Sequence, residues 1–296
     1  MSSAPQLASG QRSQVFIGGP AQAQPTVLFE TDELQIEAPN WSLDGKTLYV
    51  NGNGLLWALD VSTPESGLRH IPYDGLPELN NDHVLDPDGE HIFLSGNDGH
   101  IYRAALSGGA VERVSPDDGM WHFLHGVSPD GKRLAYVELK DFSNPGRLAV
   151  LPLTGGPVSR PDTGTGHIDG PEWSPDGEWI YFNTEGFTSA PGHAQLARIH
   201  DTSGEVERLV TSETVDWFPH LSADNQSAAY ISFPPGTLGH PPNLDVEVIV
   251  VSSRDWTTPL QRYRLFGGQG TINVNSWSPD STRFAFVAYP IAHDGE

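Results

Sequence analysis

Trp173-Ser174-Pro175-Asp176-Gly177-Glu178-Trp179-Ile180-Tyr181-Phe182 reads as a tight turn followed by a strand, and the chain repeats it. Pro presets φ, Asp bonds its own backbone, and Gly accepts a positive φ, so Ser-Pro-Asp-Gly is turn chemistry. The residues that follow alternate with the period of a half-buried strand. The frame recurs as Trp41-Ser42-Leu43-Asp44-Gly45, Leu85-Asp86-Pro87-Asp88-Gly89 and Val127-Ser128-Pro129-Asp130-Gly131. It returns as Leu221-Ser222-Ala223-Asp224-Asn225 and Trp277-Ser278-Pro279-Asp280-Ser281. Its aspartates fall at 44, 88, 130, 176, 224 and 280, spaced by 44, 42, 46, 48 and 56 residues. About 40–50 residues is the length of one four-stranded propeller blade. Six copies therefore predict an all-β chain, a six-bladed β-propeller of four-stranded blades. The turn gives each motif Asp a structural task, and none is assigned to chemistry.

The two ends of the chain complement one another. One strand, 283–289, follows the last motif, whereas two strand candidates, 13–17 and 26–30, precede the first. Residues 12–31 are expected to supply the outer strands of the blade begun at Ile272, which closes the ring and removes a sheet edge. Residues 12–296 then form a single domain, preceded by a flexible tail over 1–11. Blade three has only a weak fourth strand near Val158. Blade five is lengthened by a Pro/Gly-rich insertion at 234–243 that carries His240.

Composition narrows the function. The 296 residues hold 38 Asp and Glu against 16 Lys and Arg, a formal charge of −22. That balance argues against a nucleic-acid backbone as partner, and against anionic membrane surfaces. There is no Cys, hence no disulfide frame, thiolate metal site or cysteine nucleophile. No apolar run approaches the roughly 20 residues of a membrane span. Met1 to Gln14 lacks the basic start and apolar core of an export signal, so a cytoplasmic location is expected. Gly267-Gly268-Gln269-Gly270 leads into a strand and has no Lys in register, so no nucleotide cofactor is expected.

The inner strands of a propeller surround a channel, and the segments leading into them rim one face. Here these read Glu37-Ala38-Pro39-Asn40, Asn80-Asn81-Asp82-His83, Trp121-His122-Phe123-Leu124-His125-Gly126, His167-Ile168-Asp169-Gly170-Pro171-Glu172, Asp216-Trp217-Phe218-Pro219-His220 and 267–275. A plain connector needs turn residues; these segments hold five His, several carboxylates, amides and two Trp. His83, His125 and His220 stand two, two and one residues before their motifs, which predicts convergence from three blades. Imidazoles with an added carboxylate or amide oxygen suit a borderline divalent ion such as Zn²⁺ or Mn²⁺. The expected ligands are His83, His125, His220 and Gln269, with Asp82, Asp169 and Asp216 as further oxygen donors. No local motif such as H-E-x-x-H is present. His122 and His125, three apart, face opposite ways on a strand.

A polar ligand is expected to meet Asn81, Asp82, Trp121, His122, Asp169, Trp217, Asn273 and Asn275, with His240 reaching the same face from the insertion. Trp121 and Trp217 offer flat surface to a sugar ring or pack blade against blade; the sequence allows both. For proton transfer the candidates are His220, near Asp216, and His125. The resulting reading is a funnel that binds a small polar, carbohydrate-like ligand, with metal-dependent lyase, hydrolase or isomerase chemistry. The alternative is a non-catalytic scaffold whose rim binds a protein or peptide.

The repeated W-S-P-D-G frame resembles the WD40-like propeller repeat of the TolB family over residues 12–296. The segments Asn80-Asn81-Asp82-His83, Asp216-Trp217-Phe218-Pro219-His220 and Gly267-Gly268-Gln269-Gly270 resemble those of small stand-alone bacterial TolB-like proteins. TolB itself carries a leader and an α/β domain before its propeller. Neither stands in these residues, so the resemblance does not carry over its work with outer-membrane partners. Similar repeats precede the catalytic domain of prolyl oligopeptidase-like enzymes, but no G-x-S-x-G elbow occurs here. Oligogalacturonate lyase, a further propeller, is similar in holding a divalent metal through His and Gln. That likeness implies such a role for His83, His125, His220 and Gln269 by analogy only.

Overall fold

The computed structural model describes residues 5–291. Six small antiparallel sheets stand in a ring. In blades one to five the innermost strands are Glu37–Trp41, Leu79–Leu85, Trp121–Val127, Ile168–Trp173 and Val215–Leu221. Each runs into a motif turn, as the repeat predicted. Blades one, four and five have four strands each. Blade two gains a fifth, Tyr73–Asp74, parallel to Gly109–Arg113 at its outer edge. Blade three has three full strands, and its fourth is reduced to a bridge between Val150 and Ser159. The innermost segment of blade six is irregular and meets its sheet through a bridge between Trp277 and Phe284. The helical content of the described residues is one 3-10 turn, Pro64–Ser66, and no helix among them is long and apolar enough to cross a membrane.

The ring closes as the strand count implied. Ser13–Gly18 pairs antiparallel with Phe284–Ala288, placing Phe16 opposite Phe286, and Thr26–Thr31 lies outside it. Leu7 packs against the apolar cluster of this junction, and the Gln11 amide donates to Tyr289 O at 3.0 Å. Of the tail expected over 1–11, residues 1–4 lie outside the described residues, as do 292–296 of the domain expected over 12–296.

The motif works as its chemistry suggests. Ser174 Oγ donates to Asp176 Oδ1 at 2.5 Å and accepts from Trp179 N at 3.0 Å, so one serine ties both ends of the turn. Ser42, Ser128, Ser222 and Ser278 repeat the arrangement. The position after the Asp needs a left-handed backbone, φ +75° at Gly177 for instance. Blades five and six place Asn225 and Ser281 there, at φ 56° and 61°. Both side chains reach a neighbouring turn: Asn225 Nδ2 donates to Asp176 Oδ2 at 3.0 Å, and Ser281 Oγ accepts from Asp224 N at 2.9 Å.

The core is divided into six apolar clusters, one at each blade-to-blade interface. Arg283 lies over Trp41 and Arg133 over Trp173, which seals two of these interfaces with cation–π contacts. The inner strands carry the feature that shapes the site. In blades one to five the register slips at one place, between Glu37 and Asn40, Leu79 and His83, Leu124 and Gly126, Asp169 and Glu172, and Trp217 and His220. A bulge of this kind adds residues to one strand and re-aims the side chains within and beyond it.

Candidate functional site

Within the bulges, side chains turn toward the axis and wall a cavity of about 290 Å³ at one mouth of the channel. Asn80, Asn81 and Asp82 come from blade two, His125 from blade three, and His167 and Asp169 from blade four. His240 reaches in from the insertion of blade five, and Gln269 and Asn273 come from blade six. The lining also has apolar members: Phe123, Val137, Leu139, Phe142 and Phe218.

His125 is the centre of the polar wall. Its Nε2 lies 2.9 Å from Asp169 Oδ1 and 3.9 Å from Asp82 Oδ1, and its ring stacks on Phe218 at 5.8 Å. Burial alone would depress its pKa, but the charges of Asp82 and Asp169 outweigh this and raise it to about 9. Asp169 responds in the other direction. Burial opposes its ionisation, yet His125 and His240 hold it well below the usual carboxylate range. Asp169 Oδ1 also accepts from Gly170 N at 2.8 Å, while Oδ2 faces His240 Nε2 at 3.4 Å and His167 Nε2 at 4.0 Å. Asp82 is pushed up to about 6 by burial, against the pull of His125. Its Oδ2 accepts from Asn80 Nδ2 at 3.0 Å. His240 Nδ1 and Asn273 Nδ2 both bond Gln269 Oε1, the latter at 3.2 Å. Asn81 Nδ2 donates at 3.3 Å to Glu37, a carboxyl that burial raises to about 7.

Of the residues expected from the sequence, this cavity therefore gathers Asn81, Asp82, His125, Asp169, His240, Gln269 and Asn273. The others lie elsewhere. His220 belongs to a lower layer of the channel, the register equivalent of Asn40 and Glu172 in their own blades. Its Nδ1 meets Glu172 Oε2 at 2.6 Å and its Nε2 meets Ile272 O at 3.0 Å, so both nitrogens are committed. Asn275 completes that layer, donating to Glu172 Oε1 at 2.6 Å and Leu221 O at 2.8 Å. Asp216 is buried behind the rim. It accepts from Ser232 Oγ at 2.6 Å, Ser212 Oγ at 2.7 Å and Thr214 Oγ1 at 3.0 Å, and does not touch His220.

His83 is 1% exposed and outside the cavity, and burial lowers its pKa to about 4, which keeps the ring neutral. His83 and His220 thus do not join His125 and Gln269, and the four expected metal ligands are not assembled. Trp121 packs on Phe123 and Phe142. Trp217 lies under His240, with ring centroids 4.5 Å apart, and walls a wider cleft of about 750 Å³ leading outward from the cavity. His122 faces blade two, where its Nδ1 bonds Gly99 O at 2.8 Å.

One group of potential metal ligands is tight. Donor atoms of Asp118, His122 and Glu138 lie within 4.8 Å of one another, away from the axis. Glu138, however, is gripped by Arg160 through two hydrogen bonds of 2.7 Å, so a guanidinium already supplies the positive charge there. Sequence reasoning did not single out His167, Glu37 or Phe142. His167-Ile168-Asp169 did carry a signal, since alternate strand residues share a face.

Fold and site together define a propeller with a charged, half-apolar pocket at one mouth of its channel. No family model matches the chain. An uncharacterized protein of Agrobacterium fabrum is 35% identical over 284 residues, 94% of this chain and 92% of that one. A solved TolB-type structure from Agrobacterium tumefaciens superposes with a TM-score of 0.86 at 33% identity, covering 95% of this chain and 99% of that chain. An oligogalacturonate lyase solved with manganese shares the fold at a TM-score of 0.55 and 14% identity, over 95% of this chain and 78% of that chain. The chain belongs to the TolB-like β-propeller family.

Proposed function

We propose that the axial cavity binds a small polar ligand of carbohydrate type and that His125 and Asp82 transfer protons on it, with Asp169 holding His125 in place. The observation that carries this reading is the mixed lining of the cavity: carboxylates, imidazoles and amides together with Phe123, Val137, Leu139 and Phe142. A sugar ring has the same mixed character. Its C–H face packs on aromatic surface, and its hydroxyls donate to carboxylates and accept from amides. Burying this many ionisable groups carries a desolvation cost that an apolar plug would avoid, which favours a functional reason for them.

The charges divide the labour. His125, protonated at neutral pH, supplies positive charge and a proton to an oxygen that gains negative charge. Asp82, with its pKa near neutrality at about 6, is the group placed to remove one. Asp169 keeps His125 charged and oriented. Elimination, hydrolysis and isomerisation of a sugar each use such a pair. A divalent ion such as Zn²⁺ or Mn²⁺ would supply Lewis acidity; Asp169 would hold one, with His240 and His167 as the imidazoles nearest its Oδ2, their Nε2 atoms 3.4 and 4.0 Å away.

The test is a calorimetric screen of neutral and acidic sugars, with elemental analysis of untagged protein. Binding that disappears in Asp169→Asn and weakens in Phe142→Ala supports the reading. A full panel without binding refutes it. A second reading, a rim that docks a protein, is favoured by Phe142 and Leu238, which are 72% and 68% exposed beside the outer cleft. A stoichiometric protein partner that is lost in Phe142→Ala and Leu238→Ala, with no sugar bound, would select it.

A further inference from the structure

In a chain of net charge −22, a free cation beside the ligand cleft stands out. The axial cavity and the outer cleft share Phe142, His167 and Gln269 as walls. The outer cleft shares Pro145 and Gly166 with a further cavity of about 460 Å³ at the edge of blade three. Arg147, Arg160, Thr163 and Thr165 line that outer cavity. Lys140 lies beside the same two arginines in an adjoining cavity of about 210 Å³.

The arginines differ in commitment. Arg160 spends its guanidinium on Glu138, whereas Arg147 forms no ion pair and no side-chain hydrogen bond among the described residues. The carboxylate of the cavity, Asp162, accepts from Gly164 N at 3.0 Å and pairs with neither arginine.

We infer that this outer cavity is an anion subsite, with Arg147 its principal contact, and that the ligand is an acidic oligosaccharide lying along the cleft. One ring sits at His125 and Asp169, and a carboxylate or phosphate further along the chain meets Arg147. The inference rests on the carbohydrate reading of the axial cavity. It adds that a charged group on a second residue sets specificity, because a planar guanidinium binds either oxyanion in bidentate fashion. Lys140 adds positive field near the subsite.

The test uses the whole protein, a uronic-acid trisaccharide, its methyl ester and a terminally phosphorylated neutral trisaccharide, titrated calorimetrically at low and high salt. The acid is expected to bind about tenfold or more tightly than the ester, with the margin shrinking as salt rises. Arg147→Gln is expected to remove the margin while leaving ester binding unchanged, and Lys140→Gln to reduce it. Tight binding of the phosphorylated sugar with the same sensitivity to Arg147→Gln also supports an anion subsite. Equal binding of acid and ester overturns the inference and leaves the axial reading standing. An acid preference that survives Arg147→Gln places the anion elsewhere and also overturns it. If none of the three binds, both readings fail.

Discussion

His125 Nε2 lies 2.9 Å from Asp169 Oδ1, joining blades three and four in a buried ion pair at the edge of the axial cavity. The pair stands where two bulges turn their side chains inward, and its members are 2% and 9% exposed. Stability, proton affinity and the proposed ligand contact therefore meet in the same few atoms.

Stability should fall as pH rises above neutrality. A histidine raised to about 9 contributes stability that is complete below its unfolded pKa of about 6.5 and lost as pH rises through 9. Glu37, raised from 4.5 to about 7 by burial, loses its contribution between those two values. His83, lowered to about 4, acts oppositely between 6.5 and 4 and offsets what Glu37 contributes there. Glu37→Gln is expected to stabilise at pH 8, on the order of 3 kcal/mol, and to change little at pH 4.5. Histidine-selective NMR should find His125 titrating near pH 9. A midpoint near 6.5 would show that the ion pair is not formed.

Replacing His220 with Ala should be a stability defect. The change empties a site where both ring nitrogens are bonded and strands Glu172 in the channel. A loss of about 3 kcal/mol or more is expected in denaturant titration, with sugar affinity of the folded protein retained. Unchanged stability with lost binding would return His220 to the site.

The repeat should be mechanically uniform. Ser174→Ala removes the link from Ser174 Oγ to Asp176 and the acceptor for Trp179 N, at a cost of about 1–2 kcal/mol. Gly177→Ala places a Cβ at φ +75°, at a comparable cost of about 1–2 kcal/mol. Thermal unfolding of both variants checks this, and a neutral result for either would deny the turn its role.

Why the ring could be read from the chain, and the site only partly, follows from these same residues. The motif acts locally, so five copies share the serine-to-aspartate link and blade two, with Asp86 in the serine's place, keeps the same backbone turn, and counting strands at the two ends was enough to close the ring. The direction of each inner-strand side chain is not local. Inserted residues bend a strand and re-aim its side chains, and nothing in Asn80-Asn81-Asp82-His83 announces that Leu79 and His83 bracket a slip of two residues. Nearly equal offsets thus suggested that His83, His125 and His220 converge, whereas the bulges send them to three environments. Asp216 and Trp121 were drawn to the site by their segments and are held elsewhere by side-chain partners, Ser212, Thr214 and Ser232 for the one and Phe123 and Phe142 for the other. Phe142 carried no pattern at all, being a single aromatic in an exposed loop.

Phe142 should separate binding from folding. It is 72% exposed, so Phe142→Ala is expected to leave stability within about 0.5 kcal/mol. It should nonetheless weaken sugar binding about tenfold through lost ring contact. Equal affinity would remove the apolar wall from the account.

The most direct test of the central claim is calorimetric titration of the saccharide panel against wild type and Asp169→Asn, with both shown to be folded by circular dichroism. The account predicts that at least one saccharide binds wild type with one site per chain and that Asp169→Asn abolishes that binding. No saccharide binding to wild type, or undiminished binding to Asp169→Asn, would contradict it.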